Sequence, residues 1–387
     1  MTISNNDIHS GHTTMNTYTP LSQFVLRGLS HCWLPEKNRW SHAFRLGDTP
    51  QNISIPHSDL FYTLNVCLGF SRLKDKGAST QWDIPAVYTH TCIEMISHPM
   101  RVYAYGTALW AGVQLGVEVP NETLDRIDEL LHNISDWMTW KAQDVGMMLS
   151  GLAAIYPQDP KRWGGALERL KSFADQYFSN TRSGLFYDAT TGFRKRFSTY
   201  ATNVYLTLGN FHYGEAKEDE RAIARAMRCV DALGSVQGSK GEWPWFYLSP
   251  SGQVMDMYQV YSVHQDGMAP AYLHHAIKHG HKTAKEQITK GFHWILGENE
   301  MKQSMLRPKY GVIVRAQMRR EPGERFVRAF RASYHWMKDK EGDFIGAQKL
   351  KLNNECRSYH LGWVLWSFAG RSDFQELTHH QAFQAER

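Results

Sequence analysis

Apolar positions recur along this chain at helical spacing, and two kinds of helix alternate. Asp59 to Leu73 carries an apolar helical pattern, with Ser58 or Asp59 placed to cap it. Arg101 to Leu115 is apolar and rich in small residues, and Asn121 to Trp140 is amphipathic. Gln143 to Tyr156 is apolar again, and Pro157 stops it. Lys161 to Phe178 is amphipathic, Arg196 to Phe211 apolar, and Glu218 to Leu233 amphipathic. Tyr261 to His279 is apolar with a Gly280 stop, and Thr283 to Leu296 is mixed. Phe326 to Lys338 and Tyr359 to Phe368 end the series. A helix buried on all sides is apolar all round, whereas one facing water is apolar on a single stripe. The alternation therefore predicts a ring of inner helices wrapped by outer ones.

The pattern also repeats. Gly184-Leu-Phe-Tyr187, Gly192 and Tyr200 precede one apolar helix; Phe246-Tyr247, Gly252 and Tyr261 precede another. A weaker copy starts at Gly342-Asp-Phe344 and leads to Tyr359. The matched positions stand about sixty residues apart, the length of two helices and a hairpin. The expected fold is all-α: an (α/α)6 toroid with short aromatic β-hairpins at its mouth. It forms one domain over residues 21–375, between flexible ends at 1–20 and 376–387. An irregular helical-repeat solenoid is the alternative.

Composition narrows the class. The 387 residues are 42% hydrophobic and 21% charged, which is the balance of a folded globular chain. The net charge of +5 suits an anionic small substrate, and no Lys/Arg run marks a nucleic-acid arm. Five scattered cysteines without a Cys-x-x-Cys pair argue against zinc ribbons and disulfide scaffolds. The opening residues are polar, unlike a signal peptide, and no apolar run is long enough to be a transmembrane segment. The expectation is a cytoplasmic protein.

The chemistry concentrates between Gln237 and Leu273. There Trp243, Trp245, Phe246, Tyr247, Tyr258 and Tyr261 alternate with polar groups, His264 and Asp266 among them. Rings supply contact area and a few polar groups fix orientation, as in a cavity for an organic ligand. In a toroid the N-terminal ends of the inner helices meet at one mouth, and four such ends are polar. They are His57-Ser-Asp59 with Tyr62, Tyr200-Ala-Thr-Asn203, His264-Gln-Asp266, and Glu355-Cys-Arg357-Ser-Tyr-His360 with Trp363. His90 with Glu94, and Gln143 with Asp144, extend the set. Each has a structural reading beside the functional one. Asp59 and Asp266 suit helix caps, Glu242 an exposed hairpin position, and any single Trp the core. His274-His275 and His279-Gly-His281 come late in a helix, where imidazoles complement the dipole, so no metal site is expected. No phosphate loop, nucleophile elbow or dinucleotide fingerprint occurs, and no cofactor is expected.

Two resemblances follow from these residues. Gly241-Glu-Trp-Pro244 followed by Tyr261-Ser-Val-His-Gln-Asp-Gly267 resembles the glucuronyl epimerase pattern, a Gly-Trp-Pro hairpin before a Tyr-Ser helix start, and more broadly the six-hairpin sugar-active enzymes. It departs where those enzymes carry Met-Ala-Gln and this chain has His264-Gln-Asp266. Gln237-x-x-x-Gly241-x-Trp243 resembles the Gln/Trp motif of class II terpene cyclases, which are also toroids. There an Asp-rich motif protonates an alkene, and the matching region here holds the one carboxylate Asp266.

The polar helix starts favour sugar. The expected activity is hydrolase, lyase or epimerase chemistry by general acid–base catalysis on an oligosaccharide or small sugar, anionic ones included. Asp266, His264, Glu242 and Tyr261 are the catalytic candidates. Trp243, Trp245, Tyr258, Tyr200, Asn203, Arg357, His360, Trp363, His57 and Asp59 are the substrate-binding candidates. The alternatives are a cyclase acting on a polyprenyl substrate and a non-catalytic ligand-binding toroid.

Overall fold

The computed structural model describes residues 18–73, 80–320 and 347–384, together with Phe330, Ser333, Tyr334 and Met337. The expected helix Phe326–Lys338 lies largely outside these residues, as do the repeat copy at Gly342-Asp-Phe344 and the first 17 positions.

The chain forms a closed ring of helical hairpins. The inner helices are α2 (Pro56–Phe70), α4 (Val102–Leu115), α6 (Ala142–Ile155), α8 (Tyr200–Lys217), α10 (Ala269–Lys278) and α12 (Ser358–Phe368). Each packs on the next, and α12 returns to pack on α2. The outer helices are α1 (Pro20–Cys32), α3 (Ile84–Glu94), α5 (Asn121–His132), α7 (Pro160–Phe178), α9 (Glu220–Gly234) and α11 (Ala284–Leu296). They cover α12, α2, α4, α6, α8 and α10 in that order. The expected toroid is therefore the observed fold, and its closure excludes the solenoid.

Two elements were not expected and several boundaries differ from the sequence reading; α8, for one, runs from Tyr200 to Lys217 where Arg196 to Phe211 was expected. Helices α1 and α3 were not expected, although each carries a start signal. Thr19 Oγ1 accepts from Ser22 N–H at 3.2 Å, Asp83 Oδ1 accepts from Ala86 N–H at 3.1 Å, and Pro stands in both first turns. The span Asn121–Trp140 is broken: α5 ends at His132, and a 3₁₀ segment runs from Ile134 to Thr139. The expected flexible tail is docked over residues 376–384. A short helix, α13 (Gln375–Thr378), buries Leu377, and Phe383 is buried against Phe24 and Phe292.

Glycine sets the ring's diameter. Inner helices can touch backbone to backbone only where no Cβ intervenes. A Cβ on Gly69 of α2 would stand 2.4 Å from Gly362 O of α12. One on Gly106 of α4 would meet Met147 O of α6 at 2.4 Å, and one on Gly151 would meet Gly106 O at 2.3 Å. Gly146 of α6 faces the Tyr205 carbonyl of α8 at 2.5 Å. Along the axis, Trp363, Trp110 and Trp366 form a connected run of rings, with centroids 6.0 and 5.0 Å apart. The centre is thus a packed core.

Three antiparallel three-stranded sheets lie at the N-terminal ends of the inner helices. One joins Phe197–Thr199, Phe246–Leu248 and Val254–Asp256. The second joins Leu350–Asn353, Ala316–Arg319 and Val260–Tyr261; the third joins Glu355–Cys356, Ala43–Arg45 and Gln51–Ile53. Each sheet runs directly into an inner helix, so together they build the rim of one mouth.

The glycine seams predict a specific sensitivity. Gly106→Ala and Gly146→Ala should each lower unfolding free energy by about 2–3 kcal/mol, because the clash is with main chain and cannot be relieved by a rotamer. Gly47→Ala, with nothing within 4 Å of its Cβ, should change it by less than about 0.5 kcal/mol. Urea denaturation of the three variants measures this, and equal effects would refute the glycine account.

Candidate active site

The start of α10 departs from α-helical geometry, and this sets out the site. Residues His264–Met268 form a π turn in which Ala269 N–H donates to His264 O. Pro270 has no N–H to give to the preceding turn, so a wider turn there costs little. The wide turn carries His264 and Asp266, both buried.

His264 sits in an aromatic box. Trp245 stacks on it with centroids 5.7 Å apart and planes 9° apart, Tyr261 lies at 5.1 Å and Tyr200 at 4.6 Å. Trp245 and Tyr261, both half-buried, meet edge to face at 5.0 Å. Main-chain bonds fix the box: Tyr200 N–H donates to Trp245 O at 3.0 Å, so the hairpin is tied to the start of α8. Burial first, then the charges of His360 and Arg315, hold the His264 imidazole down to about 3. The ring is therefore neutral at neutral pH, and its Nδ1 has no protein partner.

Asp266 faces α12. His360 Nε2 lies 2.6 Å from Asp266 Oδ1, and both side chains are almost fully buried. Burial raises the Asp266 carboxyl above its ordinary range, and His360 opposes that rise. Oδ2 of Asp266 is buried without a protein partner. A buried polar atom left unpaired costs about 1–3 kcal/mol. Two such atoms, His264 Nδ1 and Asp266 Oδ2, stand two residues apart on one turn.

Two guanidinium groups complete the mouth. Arg315 is stitched between α10 and α12: Ser262 N–H donates to Arg315 O at 2.9 Å, and Arg315 N–H donates to Glu355 O at 2.8 Å. Its side chain lies over the Tyr261 ring at 5.4 Å and donates to Glu355 Oε1 at 2.5 Å. Arg357 donates to the same oxygen from Nε at 3.0 Å and Nη2 at 2.6 Å. Burial raises and these two cations lower the Glu355 carboxyl, which ends below its usual range. One carboxylate balancing two guanidinium groups leaves this rim positive. Beside it, His42 stacks on Tyr62 at 5.1 Å, and Tyr62 meets Tyr359 at 4.5 Å.

The structure thus brings together Asp266, His264, Tyr261, Trp245, Tyr200, His360 and Arg357. It does not bring in several others. Glu242 is buried, not exposed, and its carboxylate folds back to accept from Lys240 N–H at 3.0 Å. Burial, then the neighbouring Glu300, raises it to about 7, on the outer side of the ring. Trp243 is fully buried against Tyr200 and is no open platform. Asn203 holds the chain together, accepting from Phe186 N–H at 2.8 Å and donating to Thr199 O at 2.9 Å. Tyr258 lies under Arg319, itself paired with Asp256 at 2.9 Å. Asp59 is a buried tie that accepts from Ser54 Oγ and Ile55 N–H. His57 is exposed on the first turn of α2, and Trp363 lies below the mouth in the axial run of rings.

The added pairs also divert to structure. Asp144 accepts from Arg101 Nη2, Tyr103 N–H and Lys141 N–H, and lines a cleft of about 690 Å³ between α4, α5 and α6. Glu94 pairs with Arg39 at 2.7 Å and His90 at 3.3 Å at the end of an outer helix. Arg315 was missed because its short strands show no period. An Arg closing the apolar run Val312-Ile-Val314 was the available signal. Among the described residues, no three His, Cys, Asp or Glu side chains are grouped as metal ligands would be, and no helix is long and apolar enough to cross a membrane.

No protein-family model and no curated protein matches the sequence. Solved structures do. A cellobiose 2-epimerase from Bacillus thermoamylovorans aligns over 91% of this chain and 99% of its own, with TM-score 0.62 and 9% identity. An unsaturated glucuronyl hydrolase specific for heparin aligns over 91% and 98%, with TM-score 0.57 and 8% identity. A possible member of the GH105 family from Salmonella enterica aligns over 90% and 91%, with TM-score 0.53 and 12% identity. At these identities the likeness establishes the toroid fold.

The buried histidines set a pH dependence. His264 and His274 are held to about 3 and His42 to about 4, in each case chiefly by burial, while the unfolded chain protonates near 6.5. Below that value the unfolded state binds protons that the folded state refuses, so stability falls with pH. The slope is about 1.4 kcal/mol per pH unit for each histidine. Asp266, raised in the fold, acts in the opposite sense and offsets part of the loss at the acid end. Unfolding free energy should therefore drop between about pH 7 and pH 5, and His264→Gln should flatten that slope by one histidine's share. An unchanged slope in the variant would contradict a neutral buried His264.

Proposed function

We propose that this chain is a carbohydrate-active enzyme that moves a proton at carbon in a uronate-bearing sugar, leading to epimerisation or elimination. The observation that carries the reading is the pair of buried unpartnered atoms, His264 Nδ1 and Asp266 Oδ2, on one π turn beside a positive rim. The neutral imidazole has a free ring nitrogen to accept a proton, and an anionic substrate bound beside it raises its basicity from the low value it has in the free protein. It takes the proton from the carbon next to the carboxylate, and the C–H electron pair moves into the carboxylate as an enediolate. Arg315, with Arg357 behind the shared Glu355, stabilises that charge where it develops. The Asp266–His360 pair carries the exchangeable proton. It returns a proton to the carbon for epimerisation, or gives it to the departing oxygen for elimination. Trp245 and Tyr261 offer the apolar faces on which a sugar ring stacks.

Hydrolysis is less well supported, because it uses two carboxyl groups flanking the bond. Glu355 and Asp144 are each engaged by several donors, and among the described carboxylates gathered at the mouth Asp266 is the one with a buried oxygen that lacks a protein partner. The polyprenyl reading asks for one acid in a dry aromatic chamber. Two imidazoles beside Asp266 would quench a carbocation, so the sugar reading is favoured. The neighbours of the same fold point the same way: an unsaturated glucuronyl hydrolase and a cellobiose 2-epimerase are among them.

Incubation with hexuronate oligosaccharides in D₂O tests the reaction. If the reaction is epimerisation, deuterium should enter the carbon next to the carboxylate of the inverted uronate; if it is elimination, that carbon loses its hydrogen and an unsaturated uronate should form. His264→Gln and Asp266→Asn should each lower kcat by about 10²–10⁴-fold. A saturated product without deuterium at that carbon would sink the proton-transfer mechanism, and turnover of polyprenyl substrates would sink the sugar assignment.

Arg315→Gln separates binding from proton transfer. Losing a charge-assisted bond of about 1.5–3 kcal/mol should lower kcat/KM on uronates by roughly 10–100-fold. The matching neutral sugar should be handled no worse than by the parent. Equal losses on both sugars would remove Arg315 from carboxylate recognition.

A further inference from the structure

The mouth has a second side, away from the π turn. Four tyrosines stand there, each within the first two turns of an inner helix: Tyr62 on α2, Tyr103 on α4, Tyr205 on α8 and Tyr359 on α12. Tyr62 and Tyr359 meet at 4.5 Å with planes 43° apart. Phe61 bridges Tyr62 and Tyr103, with ring centroids at 5.9 and 4.4 Å. Tyr205 is buried beneath them, 6.3 Å from Trp363. Burial first, then Tyr359, Tyr103 and Tyr62, raise the Tyr205 hydroxyl above its usual range, as expected where all four border one space.

The hydroxyls set this group apart. Four fully buried tyrosines use theirs inside the protein: Tyr88 donates to Ala108 O at 2.9 Å, Tyr247 to Pro244 O at 2.8 Å, and Tyr200 and Tyr272 meet at 3.3 Å. Tyr62, Tyr103 and Tyr359 are half-buried, and among the described residues their hydroxyls have no hydrogen-bond partner. Phenylalanine would serve equally well for packing at these places. Three unused hydroxyls, each able to donate and to accept, suit a ligand that is itself rich in hydroxyls.

Charge divides the mouth in two. Arg357 stands two residues before Tyr359, so the positive rim and the tyrosines adjoin, within about 7 Å from Cα to Cα. On the tyrosine side Arg101 lies over Tyr103 at 4.9 Å, and Asp144 neutralises it at 2.7 Å. His42 stacks on Tyr62 with planes 11° apart, and burial first, then Arg357, holds its ring neutral, down to about 4. These groups add no net charge beside the tyrosines.

We infer that the tyrosine side of the mouth binds a second, uncharged sugar ring, linked to the uronate whose carboxylate the positive rim holds. The assignment rests on the uronate reading of that rim, and it makes the substrate a disaccharide unit or a longer chain. Tyr62, Tyr103 and Tyr359 bond the hydroxyls of the second ring, and the wedge of Tyr62 and Tyr359 meets its apolar face.

Isothermal titration of the full chain with glucuronate, glucuronosyl-glucose and glucuronosyl-glucuronate tests this. Glucuronosyl-glucose should bind at least about tenfold more tightly than glucuronate, and glucuronosyl-glucuronate no more than about threefold more tightly. Tyr62→Phe and Tyr359→Phe keep the rings. Each should weaken glucuronosyl-glucose by about 3–10-fold and leave glucuronate unchanged. Arg315→Gln should weaken both ligands alike. Equal affinity of the parent for glucuronate and glucuronosyl-glucose overturns the second subsite and leaves the uronate reading standing. Equal loss of both ligands in the tyrosine variants does the same. Glucuronosyl-glucuronate binding as tightly as glucuronosyl-glucose overturns the uncharged ring. Binding of none of the three removes the uronate reading, and this subsite with it.

Discussion

Three seams of backbone contact hold this ring at its diameter, and the rest of the molecule follows from where they lie. Gly69 with Gly362 joins α2 to α12, and Gly106 with Gly151 and Gly146 with the Tyr205 carbonyl join α4, α6 and α8, without side chains between the touching carbonyls. Helix α10 contains no glycine. Its seams are made by side chains: Tyr272 Oη lies 3.3 Å from Tyr200 Oη of α8, and Trp363 of α12 faces Gly267 in the π turn. The tight arc fixes positions, and the side-chain seams leave room for polar groups. The buried ionisable pair Asp266–His360 sits at one of those seams.

That position explains why the pair survives burial. Asp266 and His360 would each be costly alone, and a hydrogen-bonded pair is far cheaper than either partner isolated. His264 avoids the same cost by staying neutral. The positive charge of the site is placed instead at the rim, where Arg315 and Arg357 share Glu355. Neutral base inside and cations outside is an arrangement that draws in an anion and leaves the base free to accept a proton.

The ring itself was legible in the sequence because inner and outer helices differ over whole segments, and that contrast does not depend on any one residue. The polar helix starts were legible for the same reason, and they led to Tyr200, His264, Asp266, Arg357 and His360. What failed was local. Glu242, between Gly241 and Trp243 in an expected hairpin, allowed an exposed reading, yet its turn folds the carboxylate inward against Gly238. Asn203 and Asp59 share the mouth's polar character, and their hydrogen-bonding capacity is taken up by main chain four to seventeen residues away, which spacing alone does not reveal. Arg315 enters the site through strand pairing between Ala316 and Tyr261, a contact across more than fifty positions. No helical period signals such a contact. Helices α1 and α3 did carry cap signals; α3 lacks a clear apolar stripe, whereas Leu21, Phe24, Val25 and Leu29 of α1 stand at helical spacing and were legible.

Helix α12 ties these levels together. His360, Trp363 and Trp366 follow one another at three-residue intervals, so they descend one face of the helix from mouth to far end. His360 meets Asp266, Trp363 meets the π turn and Trp110, and Trp366 meets Trp110 and Arg72. Gly362, between them, is pinned to the Asn65 carbonyl of α2, where an added Cβ would stand at 2.6 Å. The helix therefore has no freedom to slide sideways. Both polar ends of the ring thus bear on a single helix, held at its middle by a glycine that the sequence places between two tryptophans and a histidine.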